Sequence, residues 1–210
     1  MKLKHLIIAA GIALPCLLAG CASADRAPAV YEFGPMSAAP DRASMATSPT
    51  SLPMVLVVAD ATGPSWLDKR AMVYRLLYAN AQQSYPYAAH RWSSSPLQLL
   101  SARLKSRIAE AGMAVLPVTD ASSDALILRI EVDDFSQHFQ SEHASSVCIK
   151  LRASLFRGRS LIKQKTLMQQ TKAGSANAIG GARALAASSD SVAYALIAWL
   201  TALPLPVPVP

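Results

Sequence analysis

The sequence predicts an α+β domain, a mostly antiparallel β-sheet with two long amphipathic helices packed on one face. Three observations carry this. Leu97, Leu100, Leu104, Ile108 and Ala111 recur at spacings of three and four, the stripe of a helix that buries one side. A second helical pattern runs from about Asn177 to Leu200. Between them, residues 124–171 alternate apolar and polar side chains through three segments, the period of half-buried strands.

The elements follow in chain order. Residues 22–51 are rich in Ala, Ser, Thr and Pro with little periodicity, as expected of a flexible tether. Tyr31-Glu32-Phe33 interrupts it as a short edge strand. Met54 to Ala59 is a continuous, β-branched run, which reads as a strand buried on both faces. After Gly63-Pro64, residues 71–79 alternate, with Met72, Tyr74, Leu76 and Tyr78 on one face and Val73, Arg75 and Leu77 on the other. Asn80 to Ser84 reads as a turn and Tyr85 to Trp92 as the second arm of an aromatic-rich hairpin. A helix over 69–81 is the competing reading, because Ala, Arg, Leu and Gln are good helix formers.

Ser95 is a natural N-cap and Pro96 suits the first helical position. On the helix that follows, Gln98, Arg103, Lys105, Arg107 and Glu110 fall off the apolar stripe, and Gly112 supplies the stop. Met113 to Val118 is a short strand. Residues 124–135 point Leu126, Leu128, Ile130 and Val132 inward, with Ile127, Arg129, Glu131 and Asp133 outward. Residues 146–156 point Val147, Ile149, Leu151 and Leu155 inward, with Cys148, Lys150, Arg152 and Ser154 outward. Arg157-Gly158-Arg159-Ser160 is a tight turn into the antiparallel partner, residues 161–171, whose Lys163, Lys165 and Gln169 suit an exposed edge. The last helix buries Ile179, Ala182, Leu185, Ala186, Val192, Leu196, Trp199 and Leu200. Gly180-Gly181 weakens its first turns and favours a start at Ala182. Alternate prolines over 203–210 forbid helix and leave polyproline II or a loose tail.

The chain has 210 residues and a formal charge of +7. Its first residues set Lys2, Lys4 and His5 before an apolar run from Leu6 to Leu18, the layout of a secretory signal. That run is shorter than the roughly 20 residues a spanning helix needs. It ends in Leu18-Ala19-Gly20-Cys21, which matches the lipobox of bacterial lipoproteins. The match implies cleavage between Gly20 and Cys21, with diacylglycerol on the thiol and an acyl chain on the new amine as the covalent groups. Two or more chains hold a protein stably on a membrane. The expected organisation is a signal peptide over 1–20, the tether over 21–51, one α+β domain over 52–202 and a Pro-rich tail over 203–210. Cys148 is the one free thiol expected in the mature domain, so no intramolecular disulfide can form. Without Lys2 and Lys4 the charge is nearer +5, which suits a solvated basic face or attraction to anionic lipid. No nucleic-acid motif accompanies it.

His138-Phe139-Gln140-Ser141-Glu142-His143 comes nearest to a zinc motif, but its spacing is one residue too long and it falls between two strands, so no metal ligands are assigned. There is no G-x-S-x-G, Walker loop or G-x-G-x-x-G. No catalytic residue is assigned, and the chain reads as a non-enzyme.

Trp66-Leu67-Asp68, then Val73-Tyr74-Arg75, Arg91-Trp92 and Pro96-Leu97 stand in an order that resembles the ABC-type transport auxiliary lipoproteins, the group that includes the paraquat-inducible lipoprotein encoded beside MCE-domain proteins. The resemblance covers about 52–200. It implies an outer-membrane, periplasm-facing auxiliary component of an ABC/MCE-type lipid transport system, with an MCE-domain protein and a separate permease and ATPase as partners and a lipid as cargo; the sequence leaves open whether a homo-oligomer forms. It makes Trp66, Leu67, Asp68, Tyr74, Arg75, Arg91 and Trp92 the signature, a partner-contact face in which aromatic rings and a guanidinium suit protein contact. Core or hairpin packing is the other reading of the same residues. A structural envelope lipoprotein and a solitary lipid-binding lipoprotein are the alternative functions.

Overall fold

The computed structural model describes residues 27–36, 54–120 and 125–204. Eight strands and two helices follow along it, four strands before each helix. They are β1 (Ala29–Tyr31), β2 (Val55–Val58), β3 (Ala71–Leu76), β4 (Asn80–Trp92), α1 (Pro96–Glu110), β5 (Ala114–Leu116), β6 (Leu126–Ser141), β7 (Ala144–Arg157), β8 (Ser160–Lys172) and α2 (Ala178–Thr201). The α+β class holds, with a sheet that is mixed rather than mostly antiparallel. Pairs β1–β4, β2–β5, β2–β6 and β3–β6 are parallel, and β3–β4, β6–β7 and β7–β8 are antiparallel. The physical reason is the length of β6. One edge pairs with β7 along its whole course, while the other takes β2 beside Leu126–Leu128 and then β3 beside Gln137–Phe139.

The predicted alternation is seen directly in the first half of β6. Leu128, Ile130 and Val132 are buried, while Arg129, Glu131 and Asp133 are exposed. A register shift between Val132 and Asp134 then resets the phase, so Phe135, Gln137 and Phe139 turn inward. The strand continues to Ser141, and His138 is therefore a strand residue paired with Ser146, not part of a loop. Cys148 and Ser154 were expected to face solvent, yet both are buried. They are small side chains in a strand flanked on both sides by β6 and β8, and Gln164 of β8 donates to Ser154 Oγ at 2.8 Å. The hairpin expected over 71–92 is present and the helical alternative is not, but its turn is Leu77–Ala79. Asn80–Ser84 belongs to β4, where Leu76 pairs with Asn80 and Arg75 with Ser84 across a bulge.

Helix α1 starts as read. Ser95 Oγ accepts from the Gln98 N–H, and the Gln98 side chain accepts from the Ser95 N–H, a reciprocal capping box. Gly112 ends it at φ 87°, a left-handed position where a Cβ would be strained. Its buried face is wider than the leucine stripe. Arg103 and Arg107, read as outward, are 5% and 2% exposed, whereas Ala111 is exposed. The reason is α2, which crosses that side of α1.

Helix α2 begins at Ala178 rather than Ala182, capped by Asn177 Oδ1, which accepts from the Gly180 N–H at 2.9 Å. The glycine pair is a packing requirement. A Cβ on Gly181 would lie 2.0 Å from Gln137 Oε1 and one on Gly180 would lie 2.1 Å from the Ser175 carbonyl. Gly181→Ala is therefore expected to destabilise the domain by about 1–3 kcal/mol through overpacking and displacement of the Gln137 amide, measured by urea unfolding. A midpoint equal to the wild type would mean that Gln137 moves aside freely. Ile179, expected in the core, is 45% exposed. Leu185, Val192, Leu196 and Leu200 meet Leu104, Leu128, Ile149 and Leu151 in one core.

The expected edge strand near Tyr31 exists as β1, which pairs with the end of β4 in parallel. The segment read as tether is thus interrupted by a docked strand. The signal peptide, Gly20, Cys21 and the tail from Leu205 onward lie outside the described residues.

Candidate functional site

The signature residues are distributed over a 3-10 turn (Ser65–Asp68) and the β3–β4 hairpin. They do not form one patch. Leu67 and Trp92 are fully buried, at 0% and 1% exposure, and Trp66 is half-buried against the core. The Trp92 ring meets Phe33 edge-on at 5.7 Å and Phe135 at 5.9 Å. Its backbone N–H donates to the Arg70 carbonyl at 2.8 Å, and Arg70 Nε donates to its carbonyl at 3.0 Å. Trp92 is therefore a core anchor for the hairpin base and presents no contact surface. Asp68 and Arg91 are exposed, and Tyr74 and Arg75 are half-buried.

Tyr74 and Arg75 lie on opposite faces of β3, as successive strand residues must. Tyr74 joins an aromatic row, stacked on Tyr85 at 5.4 Å, tilted against Tyr87 at 4.6 Å and edge-on to Phe139 at 5.6 Å. Tyr87 Oη donates to Gln137 Oε1 at 3.0 Å, while Gln137 Nε2 donates to Ser145 Oγ and to the Asn177 carbonyl. Burial, with Tyr74 nearby, raises the Tyr87 pKa and keeps it a neutral donor. This network joins the hairpin, the C-terminal part of β6 and the start of α2.

Arg75 faces the other side, beside His138. There Ser136 Oγ donates to Asp134 Oδ1 at 2.6 Å, and His138 Nε2 lies 3.3 Å from Asp134 Oδ2. Burial opposes ionisation of Asp134, but hydrogen bonds from His138 and Ser136 and the charges of His138 and Arg75 outweigh it, and the pKa falls below 3.8. Cys148, register partner of Ser136, is pushed up to about 11, chiefly by burial. It is a neutral, inert thiol. A carboxylate with a depressed folded pKa stabilises the fold above its unfolded value and loses that contribution as pH falls through the folded one. Acid unfolding should therefore steepen below pH 3.8, and Asp134→Asn should flatten that limb, as read by circular dichroism across a pH series. Identical acid limbs for the two proteins would rule Asp134 out as the group responsible.

A second polar centre was not read from the sequence. Arg103 Nη2 donates to the carbonyls of Phe33 at 2.9 Å and Gly34 at 2.8 Å. Arg107 Nε donates to Asp190 Oδ1 at 2.9 Å, and Arg107 Nη1 donates to Glu110 Oε2 at 2.9 Å. Arg103 Nη1 stands 3.6 Å from the same Asp190 oxygen. One carboxylate of α2 thus serves two buried guanidinium groups of α1. Arg107 also lies over the Tyr194 ring at 5.3 Å, and Arg103 over Phe33 at 5.7 Å. The centre bonds helix to helix and clamps the chain just after β1. An open cleft of about 420 Å³ borders it, walled by Phe33, Gly34, Ala182, Ala186 and Asp190. A signal for it was present. Arg103 and Arg107 stand four apart on α1, and Asp190 is the lone acid in a long, small-residue helix. Among the described residues, no group of three or more His, Cys, Asp or Glu is placed to hold a metal ion.

The fold and these centres define a helix-backed mixed sheet that grips its own N-terminal segment. The family model of the ABC-type transport auxiliary lipoprotein component matches residues 36–196, over three quarters of the chain, and the chain belongs to that family. Its fold is similar to protein XCC0632 from Xanthomonas campestris, with a TM-score of 0.63 at 16% identity, covering 83% of this chain and 92% of that one. A second solved structure, of an uncharacterized protein, gives 0.62 at 17% identity and covers 83% and 99%. At these identities the likeness is one of fold. No curated protein sequence matches the chain.

Proposed function

We propose that this protein is a non-catalytic, lipid-anchored component of the cell envelope that serves an ABC/MCE-type lipid transport system from the periplasmic side of the outer membrane. The observation that carries the reading is the family match over residues 36–196, joined to Leu18-Ala19-Gly20-Cys21 at the end of the signal-like run. The permease and ATPase are separate chains in this reading, and the MCE-domain protein is the direct partner. Ala22 follows the cysteine where aspartate is the usual inner-membrane retention signal of enteric-type bacteria, which supports sorting to the outer membrane. Affinity capture of the tagged, membrane-extracted lipoprotein tests the partnership. An MCE-domain protein among the captured chains supports it, and its reproducible absence, with the bait intact and lipidated, sinks it.

The anchor has its own test. Cys21→Ser should release the protein from the membrane fraction, and the mature wild type should begin at Cys21 with added acyl mass. A mature N-terminus at Cys21 without that mass would remove the anchor from the reading.

A further inference from the structure

We propose that the tip of the β3–β4 hairpin, Leu77-Tyr78, is a membrane-contacting element that fixes how the anchored domain stands on the bilayer. The inference rests on the lipid anchor at Cys21 and adds a second point of contact. Leu77 is 39% exposed and Tyr78 49% exposed, side by side at the apex of the hairpin. The apex is not loose, because the Leu77 N–H donates to the Phe139 carbonyl at 2.9 Å and the Ala79 N–H to the Leu76 carbonyl at 3.1 Å. An aliphatic residue beside a tyrosine suits the bilayer interface, where an apolar body meets headgroups through a polar tip.

The direction of β1 supplies the independent argument. β1 is parallel to the end of β4, with Ala29 beside His90 and Tyr31 beside Trp92. β4 runs away from the hairpin tip, so β1 does too, and Ala29 is its tip-side end. Val30 stands level with Arg91, which pairs with Ala71. From Ala71 to the tip is the length of β3 and half a turn, about 20 Å at roughly 3.3 Å per residue. The eight residue steps from Cys21 to Ala29 span at most about 28 Å fully extended. A lipid on Cys21 therefore holds this edge on a short leash, with just enough reach to bring the tip to the membrane surface. A tether running freely to residue 51 would impose no such orientation.

The neighbouring features agree. β6 ends at the same level, because Phe139 is beside Leu76, and its exposed turn Glu142-His143 suits the hydrated headgroup layer and limits penetration to the tip. The β7–β8 turn, with Arg157 and Arg159, lies at the opposite end of the roughly 50 Å β6–β7 ladder, since Arg157 pairs with Leu126. It is held away from the bilayer.

The test uses full-length lipidated protein on phosphatidylethanolamine–phosphatidylcholine vesicles, with a fluorophore on Tyr78→Cys or on Arg159→Cys. Cys148 is buried and Cys21 is lipidated, so neither competes for the label. Co-flotation reads the anchor, and quenching by lipids spin-labelled near the headgroup reads the tip. Quenching several-fold stronger at 78 than at 159, with both proteins floating, is the expected result. Flotation with equal, weak quenching at both sites overturns the membrane contact while leaving the anchor in place. Failure to float overturns both. A change at 78 that requires added envelope proteins rather than lipid overturns the proposal in favour of a protein partner.

Discussion

Replacing Asp190 with alanine is expected to destabilise the domain by about 3–5 kcal/mol, the cost of leaving buried charge without its partner. Asp190 accepts from Arg107 Nε at 2.9 Å and lies 3.6 Å from Arg103 Nη1, and both guanidinium groups are nearly inaccessible to water. Arg103 Nη1 and Arg107 Nη2 already lack a hydrogen-bond partner among the described residues. With the carboxylate gone, Arg107 keeps Glu110, whose side chain is 42% exposed, and Arg103 keeps two carbonyls. Neither replaces a buried charge. Glu110→Ala removes the exposed partner and should cost no more than about 1 kcal/mol. Urea unfolding of the two variants separates the contributions. A loss below about 1 kcal/mol for Asp190→Ala would show that water or side-chain movement compensates the arginines. Because Arg103 also holds Phe33 and Gly34, hydrogen exchange at Tyr31 to Gly34 should accelerate in Asp190→Ala before global unfolding.

How much of this was legible in the sequence depends on the range of the interactions involved. The Ser95 cap, the leucine stripe of α1, Gly112 and the Gly158-Arg159 turn are local, and each emerged where its residues said it would. The alternation of β6 from Leu128 to Asp133 was equally plain, because there one face meets the core and the other meets water, whereas Cys148 and Ser154 on the outward face of β7 are buried. Pairing direction was not legible. A short strand such as Val55–Val58 carries no mark of being parallel to β6, since that depends on crossovers through α1 and β5. The arginines failed for the same reason. On α1 alone they are polar residues beside a leucine stripe, and burial follows from Asp190, 83 residues from Arg107. The glycine pair misled locally, as a weakness of the helix, because Gly181 meets Gln137 on β6 and Gly180 meets the Ser175 carbonyl of the preceding loop. Of the signature residues, sequence order grouped what β-strand alternation then separated.

That separation gives Trp92→Ala and Arg75→Ala opposite expected outcomes. Trp92 is 1% exposed and packs on Phe33 and Phe135, so truncation to alanine should cost about 3–5 kcal/mol through the cavity it opens. Any accompanying loss of partner capture would follow from unfolding. Arg75 is half-buried on the far face of β3, where its charge helps hold Asp134 ionised, and its removal should cost no more than about 1 kcal/mol. An arginine that also anchors a partner is worth about 2 kcal/mol or more at an interface. Thermal melts and co-purification with the MCE-domain protein proposed as its partner, run on both variants, therefore read two roles from one hairpin. An Arg75→Ala protein that melts near the wild type and loses its partner places the contact on the Arg75 face of β3. One that melts normally and still captures the partner moves the contact elsewhere, and leaves Arg75 its part in the Asp134 cluster. A Trp92→Ala protein as stable as the wild type would contradict the core role assigned to that ring.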